Sequence, residues 1–155
     1  GIRLSELIGL KVSDVDLDQM QLRVTGKRNK QRLVPYGQEL SVSLREYLTE
    51  RAELLARVRF ETDFVFVDER RGGSMESGCV RLMVKHYLSF VTTQQKRSPH
   101  VLRHSFATSM LNHHADLQSV KELLGHESLS TTKVYTHASF EELKEVYMQA
   151  HPRAK

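Results

Sequence analysis

The sequence predicts an α+β domain that is mainly helical, with one small antiparallel β-sheet near the N-terminus. Three observations predict it. The chain has 155 residues, enough for one compact domain. Most of it carries apolar residues three and four apart, the spacing of helices buried along one face. Only one stretch, close to the N-terminus, alternates apolar and polar residues with the period of two that a half-buried strand requires.

The elements follow in order. Arg3 to Leu10 reads as a short helix with Leu4, Leu7 and Ile8 on one face, and Lys11 to Asp18 turns out of it. Met20, Leu22 and Val24 alternate with Gln21, Arg23 and Thr25 as a strand; Gly26 to Lys30 is a turn, and Arg32 to Pro35 is a second short strand. The two strands make a hairpin with Lys27, Arg28, Lys30 and Arg32 at or beside its tip. Gln38 to Arg59 is a helix through Leu40, Leu44, Tyr47, Leu48, Leu55 and Val58. Phe64 to Val67 is a short buried strand or extended segment. Glu76 to Phe90 is a second long helix, with Val80, Met83, Val84, Tyr87 and Leu88 inward. Ser98 and Pro99 start the next, Ser as N-cap and Pro at the first helical position; it runs to about His114 with Leu102, Phe106 and Met110 in one stripe. Leu117 to Leu124 is a helix stopped by Gly125. Leu129 to Thr136 is a short helix, and Phe140 to Ala150, with Phe140, Leu143, Val146 and Tyr147 apolar, is the last.

Composition narrows the functional classes. Lys and Arg number 23 against 19 Asp and Glu, a net charge of +4 and a pI of about 9.3. That excess suits a polyanionic partner, because phosphate neutralisation by Lys and Arg releases counterions. Cys79 is the lone cysteine, so neither an internal disulfide nor a Cys-based zinc site can form, and a reducing, cytoplasmic compartment is expected. No apolar run approaches the ~18 residues of a membrane span.

Three local patterns carry chemistry. In His100-Val101-Leu102-Arg103-His104, positions i and i+3 share a helix face, so His100 and Arg103 project together and could hold an anion. In Leu123-Leu124-Gly125-His126, an apolar pair anchors a helix end, Gly permits a left-handed cap, and His126 stands just past it. Tyr135 follows in Thr131-Thr132-Lys133-Val134-Tyr135-Thr136-His137. Singly, each has an ordinary reading: a solvated polar face, a helix stop, a packed tyrosine with its hydroxyl bonded.

Jointly they do not. Arg3 in Gly1-Ile2-Arg3-Leu4-Ser5-Glu6-Leu7, Lys27 on the hairpin, then His100, Arg103, His126 and Tyr135 stand in an order and in local contexts that resemble the tyrosine recombinase (phage integrase) family, most closely its Xer-like members. Gly1 to Leu7 resembles the first box of that family, His100 to His104 followed by Ser105-Phe106-Ala107-Thr108 the second, and Leu124-Gly125-His126 with Thr132-x-x-Tyr135-Thr136-His137 the third. Gly26-Lys27 and Arg32-Leu33-Val34-Pro35 match its hairpin, although position 28 is Arg where many relatives have Gly. The likeness spans essentially the whole chain.

The resemblance implies the recombinase catalytic fold over residues 1–155, with an upstream DNA-clasping domain absent from this chain. It implies site-specific DNA cleavage and rejoining through a 3′-phosphotyrosyl intermediate at Tyr135. A phenol with a pKa near ~10 needs activation and phosphate charge needs stabilisation. Arg3 and Arg103 would grip the non-bridging oxygens, which a fork of N–H groups does and a lysine cannot copy. His100 would exchange a proton near neutral pH, His126 would donate to a phosphate oxygen, and Lys27 would protonate the departing 5′ oxygen. Glu6 would orient Arg3 or a neighbouring helix. The bond energy is kept in the intermediate, so neither ATP, metal nor another cofactor is needed. Double-stranded DNA is the expected partner, with a homo- or hetero-oligomer, a tetramer on DNA, in the cytoplasm at the nucleoid; the Phe140 to Ala150 helix would either join its subunits or cover its own core. Arg28, Lys30 and Arg32 are candidate DNA-backbone contacts.

Rival readings fit less well. A zinc hydrolase could draw on eight histidines, and His100 and His104 have i, i+4 spacing, but His126-Glu127 is followed by Ser130 where a metalloprotease motif needs its second His. A nucleotide-binding loop would need glycine before Gly26-Lys27 and Ser or Thr after it. A DNA-binding module without catalysis would not need all six polar residues. A type IB topoisomerase shares the chemistry and differs in outcome, relaxing DNA without exchanging strands.

Overall fold

A computed structural model describes residues 1–70, 73–125 and 137–152. Its elements, in order, are α1 (Leu4–Ile8), β1 (Val15–Asp16), β2 (Gln21–Thr25), β3 (Gln31–Pro35), α2 (Gln38–Val58), α3 (Ser77–Val91), α4 (Pro99–Asn112), α5 (Leu117–Leu124) and α6 (His137–Ala150). The mainly helical architecture with a small antiparallel sheet is as the sequence predicts. The short helix expected over Leu129 to Thr136 lies outside the described residues, as do His126 and Tyr135. Among the described residues no helix is long and apolar enough to cross a membrane.

The sheet has three strands in the order β1-β2-β3, one more than the expected hairpin. The extra strand is two residues long, Val15 facing Leu22 and Asp16 facing Gln21, too short to show a period of its own. In the hairpin, Leu22 faces Val34 and Val24 faces Arg32. Side chains alternate across a strand, so these four share one face, and all four are buried.

Two hydrophobic cores result. The first joins the sheet (Leu22, Val24, Val34) to Leu44 of α2 and to Val65, with Leu10 and Tyr36 closing it. Phe64 to Val67 is extended as expected, but it makes only isolated bridges, Lys11 to Phe64 and Val67 to Ser74, and so forms no strand. The second core joins Met110 of α4 and Val120, Leu123 and Leu124 of α5 to Leu143, Tyr147 and Ala150 of α6.

Two expected inward stripes are corrected. On α3, Val80 is buried, whereas Met83 and Tyr87 are 46 % and 65 % exposed. That helix packs on α1, whose 5 residues are too few to cover the 15 of α3. On α4, Leu102 is exposed, Phe106 half-buried and Met110 fully buried, because α5 and α6 cover only the C-terminal half of the helix. In the N-terminal half, His100 and Leu102 are exposed to solvent.

Candidate active site

The C-terminal end of α5 is where the site is assembled. The last carbonyls of a helix have no intrahelical donor and carry the negative end of its dipole. Here three consecutive carbonyls each accept from a different arginine. Arg32 Nε donates to Leu123 O at 2.9 Å, Arg103 Nη2 to Leu124 O at 2.7 Å, and Arg3 Nη2 to Gly125 O at 2.9 Å. These arginines come from β3, α4 and the residue preceding α1, so one helix end gathers parts far apart in sequence. Gly125 permits the arrangement: it caps α5 at φ +63°, ψ +45°, in the left-handed region.

Each arginine is anchored a second time. Arg103 Nη1 donates to Gly1 O at 2.6 Å. Arg3 Nη1 donates to Glu6 Oε1 at 2.9 Å, and the Arg3 backbone N–H donates to Glu6 Oε2 at 2.7 Å. Arg32 Nη1 and Nη2 donate to the two Glu6 oxygens, both at 2.9 Å, in a bidentate pair with side chains only 6 % and 2 % exposed. Glu6 thus orients Arg3, as expected, and also holds Arg32.

Arg32 is the clear correction. Expected at the DNA backbone, it is buried and paired inside the protein. The signal was in the sequence: Arg32 stands two residues from Val34, on the core-facing side of the hairpin. Arg28 and Lys30 are exposed at the turn. Arg28 stands at φ +57°, ψ +30°, the left-handed conformation that favours glycine; a side chain there costs about 1 kcal/mol. The turn remains intact, with Gly26 N–H donating to Lys30 O at 2.8 Å, and Lys27 is exposed on it.

The electrostatics favour an anion. Three guanidiniums gather near one carboxylate, which pairs with two of them, Arg3 and Arg32. Burial alone would raise the Glu6 pKa, but the hydrogen bonds from Arg32 and from the Arg3 backbone, with the Arg32 charge, outweigh it and hold the carboxyl at about 2. Burial, then the neighbouring Arg3 charge, push Arg103 down to about 10, with Glu6 opposing and Arg32 adding to the fall; it stays protonated at neutral pH. A phosphate beside Arg3 and Arg103 would relieve that crowding, and each arginine has N–H donors beyond those engaged.

Of the six expected residues, the structure therefore brings Arg3 and Arg103 together and places His100 one helical turn before Arg103 on α4. It sets Lys27 on the exposed turn next to Gly26, whose backbone lies against the Glu6–Arg32 pair. His126 and Tyr135 lie outside the described residues.

A mainly helical domain that seats three arginines on one helix end is the class this fold and site define. Residues 1–142 match the model of the phage integrase family, and the chain belongs to that family. It is 48 % identical over 99 % of its length to tyrosine recombinase XerC of Chlorobaculum tepidum, covering 46 % of that protein, and 46 % identical to XerD of Proteus mirabilis, covering 49 % of it. The chain thus spans about half the length of the curated relatives it matches. Among solved structures, XerA recombinase superposes over 98 % of this chain and 54 % of its own with a TM-score of 0.73 at 35 % identity. XerH recombinase in a post-cleavage complex with palindromic difH substrate superposes over 95 % of this chain and 41 % of its own, with a TM-score of 0.70 at 31 % identity.

Proposed function

We propose that this chain is the catalytic domain of a site-specific tyrosine recombinase acting on double-stranded DNA. The observation that carries the reading is the pair Arg3 and Arg103, held by consecutive α5 carbonyls with donors to spare. Membership of a family whose solved members include a substrate-bound recombinase supports it.

In this reading the two guanidiniums grip the non-bridging oxygens of one backbone phosphate, and His126 donates to another oxygen. The Tyr135 phenol oxygen attacks phosphorus, giving up its proton to His100. A P–O(Tyr) bond forms as the P–O5′ bond breaks, and Lys27 protonates the departing 5′ oxygen. A 5′ hydroxyl of the incoming strand then reverses the step: its proton is removed, the P–O(Tyr) bond breaks, and the phenol is reprotonated. No bond energy is lost, so the reaction balances without ATP. An upstream domain would clasp the DNA from the other side, and the active assembly would be a tetramer on DNA in the cytoplasm, at the nucleoid. Exchange of α6 between copies would join its subunits, since the contacts that helix makes in its own core can be made on a neighbour.

The test uses the full-length protein and a pool of nicked duplexes with randomised sequence, in which the cleaved fragment diffuses away and traps the intermediate. Wild-type protein should give a denaturant-stable protein–DNA adduct, Tyr135→Phe none, and Arg103→Ala should form it about 10²–10³-fold more slowly. An adduct of undiminished yield from Tyr135→Phe would refute the reading. Strand exchange between two duplexes carrying the selected site, rather than relaxation alone, separates a recombinase from a topoisomerase.

A further inference from the structure

We propose that Arg32 is a positioning residue for strand cleavage: it is the pin that fixes Arg3, the base of the Lys27 turn and the carbonyl end of α5 in one frame. The proposal rests on the reading of the site given above.

Every nitrogen of the Arg32 guanidinium has a partner on another element. Nη1 and Nη2 take the two Glu6 oxygens on α1, and Nε takes Leu123 O on α5. Its face is occupied too. A Cβ built on Gly125 would lie 2.8 Å from Nη1 and 2.9 Å from Cζ, so the left-handed cap of α5 rests directly on the guanidinium and only glycine fits there. A Cβ on Gly26 would lie 3.4 Å from Glu6 Oε1 and 3.9 Å from Arg32 Nη1, so the residue before Lys27 abuts the same pair. The next two carbonyls after Leu123 hold Arg103 and Arg3. Displacing Arg32 therefore disturbs both phosphate-gripping arginines and the lysine turn, although Arg32 itself touches no DNA.

Stability alone does not account for an ion pair at this place. A buried pair loses its hydration, and apolar residues of similar volume often serve stability as well or better. The neighbours of Arg32 on this sheet face, Leu22, Val24 and Val34, are of that apolar kind. What apolar side chains cannot supply is direction, which a planar fork of donors carried by β3 supplies to α1 and α5 at once.

The experiment uses the full-length protein and the nicked duplex that the wild type selects in the adduct assay. It compares wild type, Arg32→Lys and the double variant Glu6→Gln, Arg32→Met, which removes both charges together and so leaves neither buried alone. Melting temperature, DNA affinity at two salt concentrations and the first-order rate of adduct formation at saturating DNA are measured. Arg32→Lys should bind DNA within about twofold of wild type with the same salt slope, yet form adduct at least about tenfold more slowly, since misplacement near 1 Å costs up to ~10²-fold. The double variant should fold and be as slow, which keeps the test open if Arg32→Lys does not fold. A folded variant that cleaves at the wild-type rate overturns the proposal. So does a loss confined to affinity with a salt slope smaller by about 1, the behaviour of a phosphate contact. Absence of adduct from the wild type would instead refute the reading of the site, and the proposal with it, so the two failures are distinct.

Discussion

The hydrogen bonds from Arg32 and Arg3, which outweigh burial at Glu6, set an acid limit for this domain. Its carboxyl is held at about 2 in the folded chain against an ordinary value of 4.5. A depressed carboxyl stabilises the fold above its ordinary pKa and loses that contribution as pH falls from 4.5 towards 2. At ~1.4 kcal/mol for each pKa unit, the linkage is roughly 3 kcal/mol. Urea unfolding of the wild type should therefore weaken across that window. Glu6→Gln should remove this limb and cost about 3–5 kcal/mol at neutral pH, because it leaves Arg32 buried without its countercharge. An unchanged acid limb would show that Glu6 does not carry it. At this scale the sequence was legible for residues that repeat a familiar pattern, such as Arg3 and Arg103. It was less so for Arg32, because charge suggests solvent and only the period of two in β3 argued otherwise. Which carbonyls the arginines would find was not legible at all, since those partners are up to 122 residues away.

Among the elements, α6 behaves first as a core helix. Phe140, Leu143, Tyr147 and Ala150 are buried, and Leu143, Tyr147 and Ala150 pack with Met110 and the α5 leucines. In the single chain that face is already in use, so service to a neighbouring copy stays a proposal that requires the helix to leave this core. Leu143→Ala should cost about 2–5 kcal/mol, read as a lower urea midpoint at unchanged slope. If α6 served only assembly, that variant would lose oligomers by light scattering and keep its unfolding midpoint. Helix boundaries from α2 to α5 were legible to within a few residues because their apolar periods and caps are local signals. The two-residue β1 was too short to be seen. The exposed faces of α3 and α4 were misjudged because periodicity reports that a stripe exists, not what covers it.

For the whole molecule, the two cores are separate, and the Glu6–Arg32 pair bridges them from β3 to α5. The candidate site lies along that seam, so it exists only when both cores are formed. This explains why the site's residues are scattered along the chain while its function can be compact. The overall fold was legible from periodicity. The boxes named Arg3 and Arg103, which the structure brings together on neighbouring carbonyls, and the wiring around them was legible only in the structure. If this wiring serves one phosphate within reach of one phenol, peptide mapping of the trapped adduct by mass spectrometry should find a nucleotide remnant on the peptide containing Tyr135, attached to the tyrosine oxygen; a remnant on any other side chain would refute the proposed mechanism.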